Sequence, residues 1–273
     1  MRSRIRSFQI LILALGFINA FPGYSQTNLK KIKEWKGNHT NLVTVDRLGN
    51  FFLVNSSGKI KKYDATGKLV ASVSKTSPTL IEPWYHPSIF IYSRMSQTYS
   101  IYGRNFEDRK DFTIEPAFAI EPNLVCPTHD NKLWILDKAD WSFKKVNPLS
   151  NEVIQEFTLD PAVLKPSSEF TYLREYLNLL FLIDKNSGIV ILNHLGKVIE
   201  TIEIQNLKQV YFFGDELYYL ENNTLKFFNL LTEARHEVKL PDETSQSVMT
   251  DELIITLNNR NRVSLYTYAL TAQ

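Results

Sequence analysis

An all-β, six-bladed β-propeller with four-stranded blades is the fold class this 273-residue sequence predicts. Three observations predict it. The first is a five-residue pattern, apolar-x-x-apolar and then usually a turn-former. It recurs six times, from Ile60, Tyr99, Phe143, Ile189, Leu225 and Val263, at intervals of 39, 44, 46, 36 and 38 residues. A period of about 40 residues made of short strands is a propeller period. The second is what flanks each copy: a short apolar run before it, a turn and another strand after it. No segment holds an apolar period of about 3.6 residues, so helix content is expected to be very low. The third lies at the ends. The outer strand begins about ten residues after each repeat start, as from Ile60 to Val70 and from Ile189 to Ile199, so from Val263 it would begin where the chain stops. The sixth blade therefore lacks its outer strand. Residues 31–36 match that strand elsewhere: Ile32 aligns with Ile154 and Ile199, and Trp35 with Phe157 and Ile202. An N-terminal strand is expected to pair with the last blade and close the ring, which removes an exposed edge.

In chain order, residues 1–25 read as a signal peptide. Arg2, Arg4 and Arg6 precede the apolar run from Phe8 to Phe17, and the small residues Gly23 and Ser25 place cleavage after Ser25. The run is shorter than the ~20 residues that span a bilayer, so no integral membrane protein is expected. No cysteine follows it to take a lipid. The propeller occupies residues 26–273, with the closing strand at 29–36 and blades near 40–75, 79–115, 117–159, 168–204, 207–240 and 245–270. Each blade has a strongly apolar second strand, such as Phe51-Phe52-Leu53-Val54 or Leu133-Trp134-Ile135-Leu136. Strands apolar on both faces fit a sheet packed between two others. Turns such as Ala65-Thr66-Gly67-Lys68 and His194-Leu195-Gly196-Lys197 supply the glycine that tight hairpins use. Tyr63, Tyr102, Phe228 and Tyr266 share the second apolar slot of the repeat. A slot reused from blade to blade packs blades rather than ligands.

Composition is that of an ordinary globular domain, 44% apolar and 22% charged. The whole chain carries 31 basic and 29 acidic side chains. The first 25 residues hold three arginines and no acid, so the mature domain has 28 against 29 and a net charge of −1. That balance offers no excess positive charge to nucleic acid or anionic lipid. The single cysteine, Cys126, sits in an apolar run and forms no intrachain disulfide; it reads as a small buried hydrophobe.

Val43-Thr44-Val45-Asp46-Arg47-Leu48-Gly49-Asn50 with its strand, followed by Gly58-Lys59-Ile60-Lys61-Lys62-Tyr63-Asp64-Ala65-Thr66-Gly67-Lys68, resembles the repeat of NHL-type and TolB-like six-bladed propellers. With Asp130-Asn131-Lys132-Leu133-Trp134-Ile135-Leu136-Asp137, Trp141-Ser142-Phe143-Lys144-Lys145-Val146 and Gly188-Ile189-Val190-Ile191-Leu192, most of residues 27–273 resembles a group of secreted six-bladed propellers of Bacteroidetes-type bacteria. The resemblance implies fold and export, and no particular activity. Blade 2 departs from it, with His86-Pro87-Ser88 in place of the aspartate-x-x-glycine turn.

The five histidines, His39, His86, His129, His194 and His236, show no metal-ligand spacing, and there is no glycine-rich phosphate loop or Gly-x-Ser-x-Gly elbow. Binding is expected on long aromatic segments read as inter-blade connections: Trp84, Tyr85 and His86, then Arg94, then Trp141. Exposed Trp, Tyr and Arg are the residue types that dominate protein contacts. The function expected is therefore a monomeric protein-binding or scaffold module, periplasmic or extracellular, without a cofactor. Two alternatives stand beside it. One is a lactonase-like metal-dependent hydrolase, with Ca²⁺ in the channel and Glu82, Glu121, Glu169, Asp242, His39 and His86 as candidate donors. The other is a carbohydrate-binding propeller, prompted by surface Trp and Tyr. A small molecule or glycan is thus a secondary ligand class.

Overall fold

The computed structural model describes residues 28–74, 77–83, 88–241 and 243–269. The signal peptide expected at residues 1–25 lies outside them, as do Trp84, Tyr85, His86 and Asp242. Strand β1 (Asn28–Lys36) comes first and belongs to the last blade. Blade 1 holds β2 (Thr40–Val45), β3 (Phe51–Asn55), β4 (Lys59–Tyr63) and β5 (Leu69–Ser74). Blade 2 holds β6 (Leu80–Glu82), β7 (Ile89–Ser93), β8 (Thr98–Tyr102) and β9 (Lys110–Thr113), with a 3₁₀ turn at Arg94–Ser96. Blade 3 holds β10 (Pro122–Pro127), β11 (Leu133–Asp137), β12 (Ser142–Asn147) and β13 (Glu152–Thr158). Blade 4 holds β14 (Phe170–Tyr176), β15 (Leu179–Asp184), β16 (Gly188–Asn193) and β17 (Val198–Glu203). Blade 5 holds β18 (Tyr211–Phe213), β19 (Glu216–Glu221), β20 (Thr224–Asn229) and β21 (Arg235–Lys239). Blade 6 holds β22 (Thr244–Met249), β23 (Leu253–Asn258) and β24 (Arg262–Ala269). Each sheet runs in sequence order, except that β1 stands outside β24. The ring is a six-bladed β-propeller, as the period predicts.

Burial follows position in the blade. The second strands β7 and β11 are buried at every residue, because neighbouring blades cover both faces. The fourth strands β5 and β13 are largely exposed. In blades 1, 3, 4 and 6 the ladder between the third strand and the outer strand carries a register shift, beside the turn in blades 1, 3 and 4. The residue squeezed out is Val70, Ile154, Ile199 and Ile32 in turn, and all four face solvent. Such a bulge adds a residue and local twist to a strand. The alignment of Ile32 with Ile154 and Ile199 is thus real, and it marks a solvent-facing position. Trp35 and its equivalents Phe157 and Ile202 are the ones that turn inward.

Ring closure rests on β1. It pairs antiparallel with β24 from Asn28 opposite Ala269 to Lys36 opposite Arg262. The Trp35 ring lies 6.2 Å from Phe51 and 5.7 Å from Tyr63, both in blade 1. Lys33 Nζ donates to the carbonyls of Thr66 and Gly67 at 2.9 Å each. One strand therefore completes blade 6 and fastens it to blade 1.

Candidate functional site

Antiparallel pairing puts two kinds of loop at each end of the ring. The second hairpin of each blade shares one end with the inter-blade links; this is the connection end. The first and third hairpins share the other, the turn end. The expected site residues must be placed on these ends. Trp84, Tyr85 and His86 fall between β6 and β7, Arg94 between β7 and β8, and Trp141 between β11 and β12. Arg94 and Trp141 lie in hairpins inside a blade, a correction to their reading as inter-blade connections, while Trp84, Tyr85 and His86 are outside the described residues. Period counting located the blades but not the first strand of blade 2, which has only three residues.

At the connection end the described candidates join blades. Arg94 Nε donates to the Asn123 carbonyl at 2.7 Å, and Trp141 packs edge-on against Phe170, 5.4 Å between centroids. Glu121 and Glu169 occupy one repeated seam. Buried Asp137 accepts the Glu121 N–H at 2.9 Å, and buried Asp184 accepts the Glu169 N–H at 3.0 Å. The next residue pairs with the glutamate: Lys138 with Glu121 at 3.4 Å, Lys185 with Glu169 at 2.9 Å. Burial pushes the Asp137 and Asp184 carboxyls up, and the hydrogen bonds they accept outweigh it, so both end below the ordinary value.

Glu82 is not on a loop. It closes β6, buried, and forms a forked pair with Arg174 of β14, Nε to Oε2 at 2.8 Å and Nη2 to Oε1 at 3.2 Å. The pair joins blades 2 and 4 past the first strand of blade 3. Burial pushes up the phenols of Tyr172, Tyr211 and Tyr218, with Arg174 partly offsetting it. Burial likewise pushes the Cys126 thiol well up, which leaves it protonated and unreactive. Among the described residues, no group of three or more His, Cys, Asp or Glu side chains is placed to hold a metal ion.

The turn end differs. Asp46, Asn147, Asn193 and Asn229 each open a turn by accepting, at 2.9–3.0 Å, the backbone N–H two residues on. In these four that residue is a leucine: Leu48 is 55% exposed, Leu149 89%, Leu195 79% and Leu231 72%; in the remaining turn of this kind Asp64 holds Thr66. The turn bond fixes the backbone beneath each one. A fifth, Leu177, is 50% exposed. It has φ 47° beside Asn178 at φ 60°, and two positive φ values are what a type I′ hairpin requires. A branched side chain is rarely found there. At the connection end, Asn55, Asp137, Asp184 and Asn258 make the same turn bond. They place Ser57, Ala139, Asn186 and Arg260 at its tip. That end exposes Met95 and Ile120 outside these turns.

Between Leu177 and Leu195 lies a polar cluster that sequence reasoning missed. Buried Glu175 accepts from Trp134 Nε1 at 2.8 Å and meets His129 Nδ1 at 2.9 Å, with His194 Nε2 at 3.9 Å. Burial pulls the His194 pKa down despite Glu175, so its ring is neutral at neutral pH. His129 and His194 do fall in hairpin turns, as the sequence indicates. Nothing in the sequence links either to Glu175.

No protein-family model matches the chain, and no curated protein matches it. Solved structures do. BBS1N in complex with ARL6DN aligns at 12% identity over 91% of this chain and 99% of that one, with a TM-score of 0.56. Virginiamycin B lyase from Staphylococcus aureus with quinupristin aligns at 11% over 89% and 99%, TM-score 0.53. BamB from Moraxella catarrhalis aligns at 8% over 88% and 100%, TM-score 0.50. At these identities the likeness is one of fold, and the class it defines with the geometry above is the six-bladed β-propeller. Among the described residues no helix is long and apolar enough to cross a membrane.

Proposed function

We propose that this propeller is an exported protein-binding module of the cell envelope or its exterior, docking its partner on the turn end. One observation carries the reading: at one end of the ring four of five such turns bear an exposed leucine, Asp64 with Thr66 being the exception, and at the other end the same turn bears small or polar residues. A soluble surface gains nothing from leucines held out on fixed turns. Burying one against a partner is worth roughly 1.5–3 kcal/mol, and a turn already fixed loses little entropy on docking. The solvent-facing bulge residues Ile154 and Ile199 stand beside the turns of Leu149 and Leu195 and extend the apolar surface to the rim. BBS1N, solved in complex with ARL6DN, supports the reading as a propeller caught with a partner.

The test is affinity capture from the native envelope with the mature chain. A second bait carries Leu48→Ser, Leu149→Ser, Leu195→Ser and Leu231→Ser together. The wild type recovers a partner and the variant does not, while both melt alike. Recovery by both baits refutes the docking face.

A further inference from the structure

The connection end holds a cup of about 350 Å³, bounded by the first strands of blades 1, 2, 5 and 6. Four carboxamides line it: Asn41, Asn206, Gln209 and Gln246. Gln246 Nε2 donates to Asn41 Oδ1 at 3.3 Å, across the seam between blades 6 and 1, and Gln209 donates to the Tyr211 hydroxyl. Lys208 is the one ionic side chain among the described lining residues, and no carboxylate is among them. Ile81 and Leu220 supply apolar wall.

This lining selects a chemistry. A carboxamide offers donors and acceptors together, as does a hydroxyl, so the two match edge to edge. A cation would find no counter-charge, and a divalent metal no hard anionic oxygen. A space of this volume takes a compact occupant. The volume lies at the small end of the ~300–1,000 Å³ range of ligand pockets. Hydroxyl edges and an apolar C–H face together describe a sugar ring. We infer that the connection-end cup is a binding site for a neutral sugar of one or two rings, separate from the protein-docking face. The amide-lined cup carries this inference, and the surface aromatics take no part in it.

Saturation-transfer NMR on the mature chain tests it. The probes are glucose, galactose, N-acetylglucosamine, lactose, cellobiose and chitobiose, with glucosamine and galacturonate as charged controls. At least one neutral sugar is expected to receive saturation and the controls none. Gln246→Ala should weaken that sugar tenfold or more. Ser245→Trp, at an exposed position on the cup wall, should abolish binding by filling the mouth. The four-leucine variant should bind the sugar as the wild type does. The inference is overturned if no neutral sugar binds, if a charged control binds equally well, if both cup variants bind undiminished, or if the folded leucine variant loses the sugar.

Discussion

The two ends of the ring are made from one turn and differ in what stands at its tip. At both, an Asp or Asn carboxyl or amide oxygen holds the N–H two residues on. At the connection end the residue so held is Ser57, Ala139, Asn186 or Arg260. At the turn end it is Leu48, Leu149, Leu195 or Leu231, with Thr66 in blade 1 the one exception. The shared turn bond belongs to the architecture, since it recurs. The contrast at its tip does nothing for the architecture, since every one of these side chains is out of the core. What a repeat protein varies between equivalent turns is where its binding specificity resides.

The comparison can be broken at several points, the most damaging first. Deleting residues 28–36 removes the partner of β24 and the Trp35 and Lys33 contacts to blade 1, so both ends should fail together. The melting midpoint should fall by on the order of 10 °C or more, and calorimetry would show the ring equally stable if closure were dispensable. Next comes the buried ion pair between blades 2 and 4. Arg174→Met leaves Glu82 as a buried charge without its partner, which costs about 3–5 kcal/mol. Adding Glu82→Leu should restore most of that in urea unfolding, because an apolar pair of similar volume fills the same space.

Acid separates His194 from the buried Asp137 and Asp184 by pH window. At the connection end, the native pKa values of Asp137 and Asp184 lie below their unfolded values near 3.9. Their stability is present above that value and lost as pH falls through it. At the turn end, the native pKa of His194 lies below its unfolded value near 6.5. The unfolded chain then binds the extra proton, so this contribution is full above about 6.5 and declines on acidification below it. Melting midpoints should therefore show a first decline below pH 6.5 that His194→Asn removes, and a second near pH 4 that Asp184→Asn reduces. The smallest effect is the most pointed. Leu177→Asn relieves a positive φ that costs a branched residue about 1 kcal/mol. It should raise stability slightly and weaken partner capture, the trade expected where strain is retained for binding.

How much of this was legible in the sequence depended on whether a feature repeats. The blades, the apolar second strands and the closing strand were legible because Ile32, Ile154 and Ile199 share one pattern. Glu121 and Glu169 also repeat, each with a Lys one residue past a buried Asp. Their equivalence escaped because the period was anchored on the third strands. The Asx-x-Leu triplets were present as Asp46-Arg47-Leu48, Asn147-Pro148-Leu149, Asn193-His194-Leu195 and Asn229-Leu230-Leu231. Knowing that two hairpins of each blade open on one end makes them a surface. Arg174 and Glu82, 92 residues apart, meet through the curvature of the ring, which no local pattern encodes. Arg94 and Trp141 have the composition of contact residues, yet the blades use them on each other.

The most direct measurement compares the two ends in one titration. The captured partner is titrated by calorimetry against the mature wild type and the four-leucine variant. A third protein carries Ser57→Asp, Ala139→Asp and Asn186→Asp at the connection end. The account predicts that the leucine variant loses at least a hundredfold in affinity while the connection-end variant binds as the wild type does. Full affinity in the leucine variant, or loss confined to the connection-end variant, would contradict it.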